Sequence, residues 1–177
     1  TETLEPGHVG ADIVAGSLIK NPGGGLAPTG GYIAGKAELV ERAAMRLTTP
    51  GIGGECGPTL GNSRLLFQGL FMAPHIVAQA LKTAVFCAAM MAELGIETSP
   101  GVDEKRSDII QMIRLGSAEN MRRFCLGIQA GAPVDSFVTP EPWPMPGYNC
   151  PVIMAAGSFI QGSSIELSAD GPVKEPY

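Results

Sequence analysis

The sequence predicts an α/β protein in which a buried strand and helices are followed by a small α+β unit. Residues 11–19 (ADIVAGSLI) form an apolar run without polar alternation, which is typical of a parallel strand buried on both faces. Residues 59–94 carry a nearly continuous helical pattern. From Ile96 onward, short β-like runs alternate with one helix. We therefore expect two domains, residues 1–95 and 96–177.

Two glycine-rich loops interrupt the first domain. Residues 23–31 form the first loop and residues 48–57 (TTPGIGGECG) form the second, because glycine adopts backbone angles that other residues avoid. Between them, residues 36–47 (KAELVERAAMRL) have the apolar spacing of an amphipathic helix. We expect the long helix that follows to bend or break near Pro74 and to stop at Gly95.

The second domain is expected to contain short strands around one helix. The β-like runs are residues 107–115, 151–160 and 163–169. The helix is expected over residues 118–130, with Ser117 as its N-cap. Residues 133–151 are rich in proline, which disrupts hydrogen-bonded strands, so this stretch is expected to be a loop that lines a cleft.

Composition and charge exclude several classes of function. The 177 residues carry a net charge of −5 and no cluster of basic residues, which argues against a nucleic-acid partner. Four widely spaced cysteines and two histidines predict no metal site, and they indicate reduced thiols in a cytoplasmic protein. The most membrane-like stretch, residues 76–94, contains Lys82 and Glu93 and is expected to be a buried helix.

Lys20 is the strongest candidate for a chemical role. It ends the apolar strand, where a desolvated rim would favour the neutral, nucleophilic form of its amine. The hydroxyl of Ser17, three residues earlier, can donate to a phosphate, and the glycine amides that follow can approach one closely. On position alone, a solvated strand terminus remains the alternative.

These residues belong to a longer set of motifs that resembles one known family. The segment GADIVAGSLIKNPGGG is similar to the lysine segment of Cys/Met-metabolism enzymes of pyridoxal-phosphate fold type I. The similarity continues through TGGYIAGK, the second glycine loop, GLFMAPHIVAQALK and MPGYNCPVIMAAGSFIQGSSIELSADGP. Together they resemble the methionine γ-lyase-like family that includes aluminium resistance proteins and cystathionine β-lyase-like enzymes.

The resemblance implies a fold, a cofactor and four site residues. It implies the last part of a fold type I large domain, with a mostly parallel sheet and helices, followed by most of a small α+β domain, so the chain is expected to be incomplete. Pyridoxal 5'-phosphate would be held as a Schiff base on Lys20, and Ser17 would contact its phosphate. The threonine common before this lysine in relatives is Ile19 here. Gly30 and Gly31 would contact the cofactor of a neighbouring subunit.

The group that binds the substrate carboxylate is open at this point. Relatives use an arginine, whose planar fork matches a carboxylate, in a strand that corresponds broadly to residues 164–171. Here Glu166 occupies that region. Arg114 and Lys174 are the substitutes that we nominate, and Tyr148 in the proline-rich loop could shape the substrate pocket.

A second motif offers a competing interpretation. Residues 30–37 (GGYIAGKA) nearly spell the phosphate-binding P-loop G-x-x-x-x-G-K-[ST]. Ala37 stands where the Mg²⁺-binding hydroxyl belongs, and no strand leads directly into Gly30. A turn, a short strand and a helix start therefore describe this segment better than a nucleotide loop does.

The resemblance leads to one preferred function and several alternatives. It implies a pyridoxal-phosphate-dependent carbon–sulfur lyase that acts on a small sulfur-containing amino acid, in a full-length homodimer or homotetramer without nucleic-acid or membrane partners. Aldol cleavage and side-chain transfer on the same cofactor are open alternatives. A nucleotide binder and a non-catalytic scaffold are further ones.

Overall fold

The computed structural model describes residues 2–57 and 60–177 as two compact units of helices and small antiparallel sheets. The N-terminal unit is Thr1–Pro74 and the C-terminal unit is His75–Tyr177. A small α/β architecture is therefore confirmed. The domain boundary that we expect near Gly95 stays a prediction.

The parallel pairing that the sequence predicts for the first strand is not confirmed, because its described partner is the next strand along the chain and runs antiparallel. Strand β1, Ile13–Ser17, pairs antiparallel with β2, Gly31–Gly35, in a two-stranded sheet. A two-stranded hairpin cannot bury both faces, so the side chains of β1 alternate between exposed and half-buried. The expectation of burial on both faces is therefore also incorrect for this unit.

Helix α1 and the ends of the hairpin follow from local sequence. Helix α1 is Ala37–Leu47, as the spacing predicts. At its start, Lys36 Nζ lies 2.6 Å from Asp12 Oδ1, and the Lys36 amide donates to the Asp12 carbonyl at 2.9 Å. These contacts join the beginning of β1 to the end of β2. The second glycine loop contains a short 3₁₀ turn, Gly54–Cys56, as expected for an irregular segment.

The long helix α2, Ser63–Glu93, runs through Pro74 without a break. The expected start at residue 59 lies outside the described residues. Gly95 takes the left-handed conformation, with φ of 70°, and the Ile96 amide donates to the Met91 carbonyl, so the predicted stop is confirmed. The expectation of a buried helix is wrong. Only 17% of its most apolar window is buried, because no other described segment covers that face.

The C-terminal unit has its core where helix α3 packs on a three-stranded sheet. Helix α3 is Ala118–Ala130, and the Ser117 hydroxyl accepts from the Asn120 amide at 3.2 Å, which confirms both the helix and its cap. Met121 and Cys125 pack against Ile153 and Ala155. The remaining elements are β3, Thr98–Ser99; β4, Met112–Ile113; β5, Trp143–Pro144; β6, Pro151–Ala156; and β7, Ser168–Pro172.

The predicted strands of this unit are present but shorter or displaced. The run at 107–115 contributes only β4, which pairs with β3, and the run at 163–169 yields a strand that begins at Ser168. The proline-rich stretch is largely a loop, as expected, although Trp143 opposite Val152 forms an edge strand. An edge position tolerates proline because one side of the strand needs no amide donors.

Candidate functional site

The turn that carries Lys20 is held by glycines against helix α2. Lys20 precedes a 3₁₀ turn, Asn21–Gly23, and its carbonyl accepts from the Gly23 amide at 2.8 Å. A Cβ on Gly24 would clash with the Gly69 carbonyl, and one on Gly69 would clash with the Gly23 carbonyl. The backbones therefore meet at a distance that only glycine permits, which fixes the position of the turn after Lys20.

The hairpin brings together the four predicted cofactor-binding residues. Ser17 lies directly opposite Gly31, and the Leu18 amide donates to the Gly30 carbonyl at 2.9 Å. Lys20 follows two residues later, so all four stand at the same end of the hairpin. Ser17 is half-buried.

Lys20 itself departs from the expected environment. The sequence predicts a desolvated rim, but the Lys20 residue is exposed in this chain. The reason is the antiparallel two-stranded sheet, which cannot enclose a residue at its end. Chemically, the arrangement offers a primary amine and a hydroxyl near a backbone that lacks side chains at Gly30 and Gly31. That set fits an aldehyde-bearing phosphate ester such as pyridoxal phosphate.

Tyr32 is a residue at this hairpin that the sequence reading missed. It pairs with Gly16, and a Cβ on Gly16 would lie 2.6 Å from the Tyr32 hydroxyl oxygen. The edge of the Tyr32 ring and its hydroxyl therefore lie against the glycine on one face of β1. The motif alone gives no signal for this contact, because it depends on the antiparallel register.

The nucleotide-loop interpretation of residues 30–37 is contradicted by the structure. Gly31–Gly35 is a strand rather than a loop, so its backbone amides serve the hairpin ladder. Lys36, which would bind phosphates in a P-loop, makes the ion pair with Asp12. The alternative description as a turn, a short strand and a helix start is confirmed.

The three nominated substrate residues lie in the C-terminal unit. Arg114 Nη1 is 2.9 Å from Glu97 Oε2 in an exposed ion pair. Lys174 is exposed after β7. Tyr148 is 55% exposed and lines a shallow depression of about 510 Å³ together with Cys150 and neighbouring prolines. Among the described residues, no hydrogen bond or ion pair joins these three side chains to one another.

The Glu166 carboxylate is surrounded so that it would accept a hydrogen-bond donor as a partner, but not the carboxylate of a substrate. Glu166 Oε1 accepts from the Phe159 amide at 3.3 Å, and its Oε2 is buried without a hydrogen-bond partner among the described residues. The same holds for the Ser158 and Ser163 hydroxyl oxygens in this loop. A second carboxylate would be repelled here, so Glu166 does not replace the arginine of relatives.

Two thiols in the C-terminal unit show shifted acidity. Burial raises the pKa of the Cys87 thiol, and the positive charge of Arg106 opposes that shift. Burial raises the pKa of Cys125 as well, and the negative charge of Asp170 adds to the effect. Both thiols therefore favour the protonated, unreactive form, as expected for packed cysteines.

No group of three or more His, Cys, Asp or Glu side chains among residues 2–57 and 60–177 is placed to hold a metal ion. Helix α2 is long and apolar enough to cross a membrane by length and composition alone. One such helix is weak support for a span, and it carries Lys82 in its middle.

A scan of family models matches residues 1–177 to the family described as methionine gamma-lyase. Uncharacterized protein YnbB of Bacillus subtilis is 56% identical over 99% of this chain, which covers 42% of that protein. An uncharacterized 33.9 kDa protein of Lactobacillus delbrueckii is 52% identical over the whole chain, which covers 58% of it. The chain thus spans about half the length of these relatives.

This chain is also similar, in sequence and in fold, to solved structures of proteins with lyase names. A "putative cystathionine beta-lyase involved in aluminum resistance" from Listeria monocytogenes is 57% identical, with a TM-score of 0.90 over 99% of this chain and 44% of its own. A "carbon-sulfur lyase involved in aluminum resistance" from Clostridium novyi is 58% identical, with a TM-score of 0.88 over 99% of this chain and 41% of its own.

Proposed function

Because the chain belongs to the methionine gamma-lyase family, we propose that it is part of a pyridoxal-phosphate-dependent carbon–sulfur lyase for a sulfur-containing amino acid. The family resemblance expected from the motifs is confirmed by that match and by the lyase names of similar solved structures. The observation that supports the proposal in this chain is the hairpin end that brings Ser17 and Lys20 beside Gly30 and Gly31.

Each of these residues has a role in the proposal. Lys20 Nζ would hold the cofactor covalently, and the Ser17 hydroxyl would donate a hydrogen bond to its phosphate. Gly30 and Gly31 would leave the backbone open to a close approach. When bound, the cofactor supplies a sink for the electron pair that remains when the α-proton of the substrate leaves. Lys20 Nζ would move that proton once it is released from the cofactor.

The glycine contact with helix α2 adds a positioning role to this site. Gly23 and Gly24 hold the turn after Lys20 against Gly69, so the amine extends from a backbone that packing fixes. A fixed backbone limits the positions that a long lysine side chain must sample before it meets its partner. On the substrate side, Tyr148, Arg114 and Lys174 remain nominations.

The full-length protein would work as a homodimer or homotetramer in the cytoplasm. Support comes from the exposed apolar side chains of α2, since contiguous exposed apolar surface is typical of interfaces. Large examples are Phe67, Phe71 and Phe86. The substrate would be a small amino acid, and the products would be a thiol, a 2-oxo acid and ammonia.

Borohydride reduction of the full-length protein with pyridoxal phosphate tests the proposal. We expect reduction to attach the pyridoxyl group permanently to the peptide that contains Lys20, as read by peptide mass spectrometry. Lys20→Ala should abolish this label. Lys36→Ala is the matched control, because Lys36 belongs to the competing phosphate motif, and it should leave the label unchanged. A label on any lysine other than Lys20 would contradict the assignment.

Other reactions on the same cofactor are separated by product analysis. A carbon–sulfur lyase should release a thiol and a 2-oxo acid from L-cystathionine or L-methionine. Aldol cleavage would instead release an aldehyde from a β-hydroxy amino acid, and side-chain transfer would require an added nucleophile. A non-catalytic scaffold would keep its biological effect in the Lys20→Ala variant.

A further inference from the structure

Arg106 is held in the C-terminal unit by three uncharged oxygen atoms. Its Nη2 donates to Gln111 Oε1 at 2.6 Å and to the carbonyls of Pro100 and Gly101 at 3.3 and 3.4 Å. Gln111 Nε2 donates in turn to the Pro100 carbonyl at 3.0 Å. This network fixes the guanidinium plane, and it uses only one of the three guanidinium nitrogen atoms.

The other two nitrogen atoms of Arg106, Nε and Nη1, are buried without any hydrogen-bond partner among the described residues. A guanidinium stays charged at all pH values at which proteins fold, so these N–H groups cannot escape the cost of burial by losing a proton. Buried polar groups are normally paired, and each exception requires an explanation. An anion with oxygen atoms that binds at these two nitrogen atoms would supply the missing hydrogen-bond acceptors.

We propose that Arg106 is the binding group of a site for a small carboxylic acid, formed entirely within the C-terminal unit. The available charge is a single guanidinium, which matches a carboxylate monoanion, and the N–H donors are the partners that carboxylate oxygens take. Gln111 and the two carbonyls orient the donors without neutralising them. This site goes beyond the proposed function, and it does not depend on Lys20.

Nε and Nη1 are fully covered in the acid-free chain, so neighbouring atoms must move for an acid to reach them. The turn that precedes Arg106 is exposed at residues 102–105, and it contains a hydrogen bond from the Gly101 amide to Glu104 Oε2 at 2.8 Å.

Calorimetric titration of the full-length protein with 2-oxobutanoate tests the site. This probe has the carboxylate but lacks the amine needed for chemistry with a lysine-bound cofactor. We expect saturable binding of 2-oxobutanoate and no binding of the neutral 2-oxobutanamide. Arg106→Gln should weaken binding by about tenfold or more, because charge-assisted hydrogen bonds are lost. Arg123→Gln, which removes an exposed arginine that is already paired with Glu119, should leave affinity within about twofold.

Gln111→Glu is the second variant, in case Arg106→Gln loses its fold. It retains the size of the side chain and its contact with Nη2, and it places a competing carboxylate on the guanidinium, so it should weaken binding at least as much as Arg106→Gln does.

Alkylation of Cys87 measures binding of the acid without relying on the calorimetric signal. Because the charge of Arg106 acts on Cys87, a bound acid should cancel that charge, raise the pKa of the thiol further and slow its reaction with iodoacetamide. Unchanged binding in folded Arg106→Gln and Gln111→Glu, or tighter binding of inorganic phosphate than of the acid, would overturn the proposal. If borohydride reduction did not label Lys20, the expected binding of the acid at Arg106 would not change. The two proposals can therefore fail independently of each other.

Discussion

Gly69 in the middle of α2 is the residue on which the Lys20 turn rests. Glycine inside a helix normally lowers stability, because the unfolded chain has more freedom to lose. Here the absence of a side chain lets the Gly23 carbonyl approach the helix. The cost to the helix is therefore offset by a contact that no other residue allows.

Gly69→Ala should destabilise the chain, because its Cβ would displace the Gly23 backbone. Overpacking of this kind costs about 1–3 kcal/mol of unfolding free energy. Gly127→Ala is the matched control, since Gly127 is also within a helix and a Cβ there would meet nothing within 4 Å. It should stabilise the chain by roughly 0.5–1 kcal/mol. Urea denaturation measures both, and equal effects would show that the Gly23 contact is unimportant.

Helix α3 is the element whose contacts organise the C-terminal unit. One face packs Met121 and Cys125 on strand β6, and the last turn presents Gln129, which is only 3% exposed. Gln129 Nε2 donates to the carbonyls of Asp135 and Ala156, and Gln129 Oε1 accepts from the Ala156 amide at 2.9 Å. One side chain thus joins the helix, the following loop and the end of the strand.

Gln129→Leu should destabilise the C-terminal unit by leaving the Ala156 amide and two carbonyls without partners. An unsatisfied buried polar group costs about 1–3 kcal/mol, so a total loss of about 2–5 kcal/mol is expected. Gln129→Glu retains the acceptor but loses both donated bonds, so its loss is expected to be severe as well. Gln79→Leu is the control, because Gln79 is an exposed glutamine in a helix of the same unit. A thermal melt of Gln129→Leu that matches the parent would contradict this role.

Elements defined by local sequence could be predicted, and elements defined by pairing could not. Helix α1, helix α3 and the Ser117 cap follow from apolar spacing and short-range hydrogen bonds, so the sequence alone locates them. The direction of β1 depends on which strand lies beside it, and an apolar run carries no information on that. The same limit applies to β7, whose register is set by pairing with β6.

Among the candidate site residues, too, those that are close in sequence could be predicted, and those that depend on tertiary contacts could not. Ser17, Lys20, Gly30 and Gly31 lie close in sequence, so their meeting at one hairpin end follows from a short connection. Arg106 could not have been selected from its sequence context, because its significance comes from the Gln111 and Pro100 contacts and from two unpaired nitrogen atoms. Arg114, which the sequence nominated, is instead engaged with Glu97.

At the scale of the whole molecule, the chain leaves much apolar surface uncovered. Helix α2 exposes large side chains along its length while its two ends belong to different compact units. Exposed examples are Phe67, Leu70, Phe71, Phe86 and Met90. Contiguous exposed apolar surface is typical of interaction sites, and the relatives contain chain beyond the part that this sequence matches. The proposed subunit assembly offers one source of cover for this surface.

Stability of the whole chain should fall with rising pH above about 9. The pKa of Cys125 is raised from its ordinary value of 9.0 by burial and by Asp170, so the folded state keeps its proton longer than the unfolded state does. Its stabilising contribution is fully present below the unfolded pKa and is lost as the pH rises through the folded pKa. Cys87, also raised, acts in the same direction.

Urea denaturation between pH 7 and pH 10.5 measures this dependence, on a range that brackets the ordinary thiol pKa of 9.0. The Cys125→Ala variant should be less stable at every pH because it leaves a cavity, yet its stability should decline less steeply in the alkaline range. Cys150→Ala is the control, because Cys150 lies in the half-exposed proline-rich loop outside the core cluster. Parallel alkaline declines in the Cys125→Ala variant and the parent would show that the buried thiol does not set this limit. A shallower decline would locate the alkaline weakness of the molecule in the contact of α3 with its sheet.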